Sequence, residues 1–188
     1  MTTETAAKLE KVKKYSASLR DLFKFFFALG LVGWLVLTIT MWLDAMPQRS
    51  AVQIGHLVYS GDSITLTVRV LGYVFRTLSL AIALKVNFHL IKLFALYAEG
   101  KIFGAENVQQ IRHVGITILM LPALFVLTLF VPLLAPGGEG LSPTISAGAG
   151  WIGGGLAFQN IIYGTIIIMV SWIMDVGREL REEQDLVV

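Results

Sequence analysis

Four stretches of this chain are apolar over a length that only a bilayer-spanning helix needs, and they leave few alternatives for the fold. They are 22–43 ("LFKFFFALGLVGWLVLTITMWL"), 70–94, 114–135 and 156–174. Crossing about 30 Å of hydrocarbon takes roughly 20 helical residues. No water is available there to satisfy an open backbone, and none of the blocks alternates with period two, so each reads as a helix. Composition agrees. Charged residues make up 15% of the chain, where a soluble domain carries about 25%, and the mean hydropathy is +0.72. The expected fold is an all-α membrane protein, a four-transmembrane-helix bundle forming one domain over 1–188. The first block follows a basic segment as a signal peptide would. Its apolar core is too long, however, and Leu43-Asp44-Ala45 is no small-x-small cleavage site, so it reads as a retained helix.

Lys and Arg set the expected orientation. Lys8, Lys11, Lys13, Lys14, Arg20 and Lys24 precede or begin the first block. Lys92, Lys101 and Arg112 flank the connection between the second and third, and Arg178 and Arg181 follow the fourth. The connection between the first two blocks offers Arg49 and Arg69, and that between the last two none. The expectation is a multi-pass membrane protein with both termini and the 97–113 elbow cytoplasmic. Residues 1–20, with Leu9, Val12, Ser16 and Leu19 at helical spacing among lysines, read as an amphipathic helix on the inner leaflet, favouring anionic lipids. A partner-docking helix is the other reading.

Outside the membrane, 50–69 has two readings. "AVQIGHLVY" and "SITLTVRV" alternate in part and flank the turn-forming Ser60-Gly61-Asp62, which suits a small hairpin. A helical extension of the second block competes. The connection 136–155 is rich in Gly, Ser and Pro and reads as a flexible outer loop, with the Gly150/Gly154 pair just before the fourth helix. Pro122 is expected to kink the third helix.

Ionisable groups inside a membrane helix are costly and are functional candidates by default. Only the second block carries a set. Arg69 and Arg76 share one face, and Lys85, His89 and Lys92 form a second stripe that Glu99 continues. These groups either snorkel to headgroups, bind an anionic lipid or small anion, or pair with acids such as Asp44, Glu99 or Asp175. His89 alone reads as an interfacial or packed histidine. Gln159, Asn160, Tyr163 and Thr165 read as hydrogen bonds between helices, with a polar lining beside Arg76 as the other reading.

Enzymatic constellations are missing from the sequence. There is no Cys, and neither H-E-x-x-H nor G-x-S-x-G occurs. His56, His89 and His113 fall on separate segments. No phosphate loop is present, and no basic stripe suits nucleic acid. No cofactor or metal is expected.

The elbow and tail carry a more specific pattern. It runs Leu93-Phe94, Gly100-Lys101-Ile102-Phe103, Glu106-Asn107-Val108, Ile111-Arg112 and Gly115. After the fourth block come Gly177, Leu180 and Glu183-Gln184-Asp185-Leu186-Val187-Val188. With the block spacing, this resembles the bacterial membrane-protein family known as domain of unknown function 2975, over nearly the whole chain. The resemblance implies a small four-helix inner-membrane protein and no activity. Relatives are often encoded beside a small helix-turn-helix regulator, which supports a regulatory role by association. One departure is Gly104, where the family commonly has Ser or Thr as a helix N-cap, a position at which Gly is only modestly worse.

Gly100 and Gly104 bracket the elbow's turn, and a helix should start at Ala105, with Asn107 and Gln110 polar and outside. The tail should continue the fourth helix, with Arg178 and Glu182 paired at i, i+4 and an acidic end near Lys101, Arg112 or the N-terminal lysines. The functional expectation is a non-enzymatic interaction or regulatory subunit for a membrane or cytoplasmic partner, or for a second copy of itself. Its docking surface would be Lys101, Phe103, Glu106, Arg112 and Asp185. The alternative is a small transporter or an anionic lipid- or anion-binding protein using Arg76, Lys85, His89 and Lys92.

Overall fold

The computed structural model describes residues 3–42, 51–54, 57–60, 66–128, 130–131, 144–145 and 147–186. In chain order the elements are α1 (Thr3–Trp42), β1 (Ala51–Ile54), β2 (Leu57–Ser60), α2 (Leu66–Ala98), α3 (Ala105–Thr128), β3 (Thr144–Ile145) and α4 (Ala147–Leu186). Among the described residues three helical stretches are long and apolar enough to cross a membrane: α2, α3 and Gly155–Gln184 of α4. The pattern of burial is that of a protein whose solvent is lipid. Phe25, Phe26, Leu29 and Leu35 on α1, and Phe158, Ile166, Met169 and Ile173 on α4, are exposed. Water would not tolerate so extensive an apolar surface.

The chain forms two units, Met1–Gly30 with Ala83–Ile118 and Tyr163–Val188, and Leu31–Ile82 with Leu119–Ile162. Each helix contributes residues to both.

In the first unit, α1 and α2 pack antiparallel. Leu9, Lys13, Ser16, Arg20, Phe23, Phe27 and Gly30 recur at steps of four and three residues, and each is at least half-buried. That is the seven-residue seam of a left-handed helix pair. Along it the Lys13 stem covers Gly100, Phe23 stacks on Phe94 with centroids 5.5 Å apart, and Gly30 meets Leu84. α3 and α4 pack antiparallel through Gly115. A Cβ placed there would come within 2.8 Å of the Ile168 side chain and 3.0 Å of the Gly164 carbonyl oxygen. Small residues allow this close backbone approach where no hydrophobic force drives helices together. Arg112 of α3 reaches Asp175 of α4 at 3.4 Å. Asp175 also accepts from Arg178 at 3.2 Å, and Arg178 pairs with Glu182 at 2.8 Å, the i, i+4 pair read from the sequence.

In the second unit, the Thr38 hydroxyl donates to the Trp34 carbonyl at 2.9 Å, so Tyr73 is the donor in their 3.1 Å hydrogen bond. A small antiparallel sheet in the order β1-β2-β3 also lies here. Ala51 to Ile54 pair with Ser60 to Leu57, and Leu57 and Val58 pair with Ile145 and Thr144.

Several expectations need correction. The amphipathic 1–20 segment is not a separate helix lying on a leaflet. α1 runs unbroken from Thr3 to Trp42, because no Gly or Pro interrupts residues 3–29. Its packed seam includes Lys13 and Arg20, whereas Val12 and Leu19, read as apolar anchors, are exposed. In 50–69 both readings hold in part. The hairpin is contained within 51–60, and "LTVRV" of the second alternating run belongs to α2. The turn-forming Gly61 and Asp62 lie outside the described residues. The outer loop 136–155 shrinks, since β3 and the start of α4 occupy part of it and Gly150 and Gly154 fall inside α4. Glycine-rich composition hid that helix start. α3 continues through Pro122, and Pro132 lies outside the described residues.

Candidate functional site

The elbow is built by two helix ends. α2 closes with the hydrogen-bond pair of a Schellman motif: Lys101 N–H donates to the Leu96 carbonyl and Gly100 N–H to the Tyr97 carbonyl, each at 3.0 Å. Gly100 takes φ +83°, a conformation glycine adopts without a Cβ penalty. α3 then opens at Gly104, whose carbonyl accepts from Asn107 N–H at 3.0 Å. Most of the 97–113 elbow is therefore helical, with the turn between Gly100 and Gly104 and α3 starting at Ala105 as read from the sequence.

Asn107 fastens the two ends together. Its side-chain amide donates to the Lys101 carbonyl, closing the turn from inside. It is 0% exposed, so the expectation that it stays outside is overturned. Buried polar groups require partners, and the turn offers Asn107 a carbonyl left free by the end of α2. Its Oδ1 has no hydrogen-bond partner. Gln110 is also turned inward. Its Oε1 accepts from His89 Nδ1 at 2.9 Å, and the His89 ring stacks on His113 with centroids 4.9 Å apart. His89 is thus a packed histidine joining α2 to α3.

What the clamped elbow leaves outside is Phe103, 58% exposed, beside the exposed Lys101 and Glu106. Lys101 bonds Glu99 at 3.0 Å. That hydrogen bond, with the Glu99 and Glu106 charges, holds its ammonium above the ordinary lysine range. Lys101, Glu106 and Asn107 share a hollow of about 260 Å³. Arg112, expected on the same surface, turns instead to Asp175. Asp185 lies in the last turn of α4, and its side chain is outside the described set.

The charges of α2 do not act as one stripe. Lys92 sits 4.5 Å over the ring of Phe88 on its own helix. Lys85 and Arg76 are exposed, and neither has an ion-pair partner among the described residues. Pairing with Asp175 or Glu99 is overturned, because Arg112 with Arg178 and Lys101 hold those acids. Asp44 lies outside the described residues. Arg76 lines a cleft of about 380 Å³ within the second unit, together with Phe75, Ser79, Leu124, Phe125, Leu156 and Asn160 among others. Sequence reasoning singled out Arg76 and raised Asn160 as a polar lining beside it, but not the apolar residues around them, because spacing along one helix says nothing about which neighbours face it.

A family model matches residues 63–188, from just before α2 through α4. The chain belongs to DUF2975, a family of proteins of unknown function. The match is narrower than the resemblance read over nearly the whole chain, since α1 and the β1–β2 hairpin precede it. The DUF2975 portion thus contains the elbow, the Arg112–Asp175 contact and most of the Arg76 cleft. No curated protein and no solved structure matches the chain.

Proposed function

We propose that this protein is a non-enzymatic interaction or regulatory subunit of a bacterial inner membrane, docking a membrane or cytoplasmic partner through the elbow. The observation that carries the reading is Phe103, a large apolar side chain exposed at the tip of a turn that Asn107 and Gly100 hold in one conformation. A clamped turn loses little conformational entropy when a partner covers it, and aromatic anchors flanked by charges are typical of interface centres. Four passes with cytoplasmic termini complete the reading. The lysine and arginine bias supports it, as does the gathering of the N-terminal segment, the elbow and the C-terminal segment into one unit. α1 supplies the fourth pass through its exposed apolar residues.

The test is affinity purification in mild detergent, with mass spectrometry, of the wild type and Phe103→Ala at matched membrane levels. A partner retained by the wild type and depleted about tenfold or more with Phe103→Ala supports the docking elbow, since one interface anchor is worth about 2 kcal/mol or more. Equal recovery with both, or no partner and no effect of deletion on any protein's level or activity, overturns it. A second reading is a small transporter or a binder of an anionic lipid or anion. Arg76, which pairs with no acid among the described residues, favours it from its place in the cleft.

A further inference from the structure

We propose that the cleft around Arg76 binds the headgroup of an anionic phospholipid, with the acyl chains left along the apolar helix faces. The inference deepens the second reading and is independent of the docking elbow.

The first support is the position of the charge. Arg76 stands six residues inside the apolar stretch that begins at 70, about 9 Å along the helix at 1.5 Å per residue. A guanidinium inside the apolar stretch is expensive unless it is paired or hydrated, and among the described residues no acid pairs with it. Among the described residues no Asp or Glu lines the cleft, which leaves Arg76 as its charged group.

The second support is which donors remain free. Ser79 donates its hydroxyl proton to the Phe75 carbonyl at 2.9 Å, and Thr128 donates its own to the Phe125 carbonyl at 2.7 Å. Both hydroxyls are therefore spent as donors. The Arg76 guanidinium and the Asn160 amide, on α2 and α4, remain to donate. A planar guanidinium presents parallel N–H groups that match a phosphate oxygen pair, and an amide N–H adds a third donor. The occupant is thus an oxyanion rather than a cation or a neutral polar group.

The third support is the wall. Phe75, Leu121, Leu124, Phe125 and Leu156 are apolar and unsuited to a freely hydrated anion. About 380 Å³ lies at the small end of ligand sites, which run about 300–1,000 Å³. That volume takes a headgroup and glycerol, not a whole diacyl lipid.

The test uses the full chain, delipidated in detergent and then titrated with phosphatidylglycerol or with phosphatidylcholine of the same acyl chains, read by native mass spectrometry and tryptophan fluorescence. Inorganic phosphate is added as a competitor. Saturable one-to-one retention of phosphatidylglycerol is expected. Phosphatidylcholine should bind at least tenfold more weakly, phosphate should displace little, Arg76→Gln should lose at least tenfold, and Arg76→Lys should retain part of the affinity. Leu124→Trp, which fills the cleft and leaves Arg76 in place, should lose binding too and serves where Arg76→Gln fails to fold. Equal retention of the two lipids, or unchanged binding with Arg76→Gln or Leu124→Trp, overturns the proposal. Displacement by inorganic phosphate alone overturns the lipid assignment but keeps the anion reading. Binding of neither lipid nor phosphate removes both.

Discussion

Asn107 shows how far a single side chain can depart from its apparent role. In sequence it is a polar residue in the first turn of a helix beside the cytoplasm, where solvent exposure is the ordinary expectation. In the fold it is fully buried, donating to the carbonyl of Lys101 six residues back. Removing it leaves that carbonyl without its donor, which costs about 1–3 kcal/mol. Asn107→Ala should therefore lower the unfolding midpoint in detergent and speed amide exchange at 99–104. A midpoint and exchange pattern equal to wild type would mean the clamp contributes nothing. Gly100 was the legible part of this site, because a glycine two residues past a helix end announces a left-handed cap. Asn107 was not legible, because its burial depends on where the end of α2 returns.

Among the elements, α1 and α2 join through a regular seam, and α3 and α4 through a point of close approach. The difference predicts unequal tolerance at two glycines. At Gly30 an added methyl meets the tip of Leu84, a side chain free to turn aside. At Gly115 it meets the backbone of Gly164 and two isoleucines, none of which gives way cheaply. Gly115→Ala should cost about 1–3 kcal/mol by overpacking, and Gly30→Ala much less. Reversible unfolding of the two variants in mixed micelles measures both, and equal losses would reject the distinction. The helices themselves were visible as apolar blocks. The start of α3 at Ala105 and the tail of α4 were legible too, whereas the start of α4 and the continuity of α1 through its charged first half were not, because hydropathy gives no signal in glycine-rich or charged sequence. The pairing of Arg112 with Asp175 was equally hidden. Asp175 stood as one of several acids within reach of α2, and the antiparallel register of α3 on α4 hands it to Arg112 and Arg178 instead.

For the whole molecule, the strongest expectation concerns sidedness, and the absence of cysteine makes it simple to test. Single cysteines at Lys8, Lys101 and Glu183 should all be shielded from an impermeant maleimide in intact cells and react after lysis, while one at Arg49 should label from outside. Labelling of Lys101→Cys in intact cells would sink the orientation and, with it, a cytoplasmic docking elbow. The sequence by itself determined the solvent of this protein, its helical class and its family, because each rests on composition, block length or a local motif. Only the tertiary structure decided which polar groups face inward, which acids the described cations reach and that Arg76 lines a cleft. Those depend on register between helices far apart in the chain, and in a bilayer the uniformly apolar faces leave that register to small residues and a few buried polar contacts.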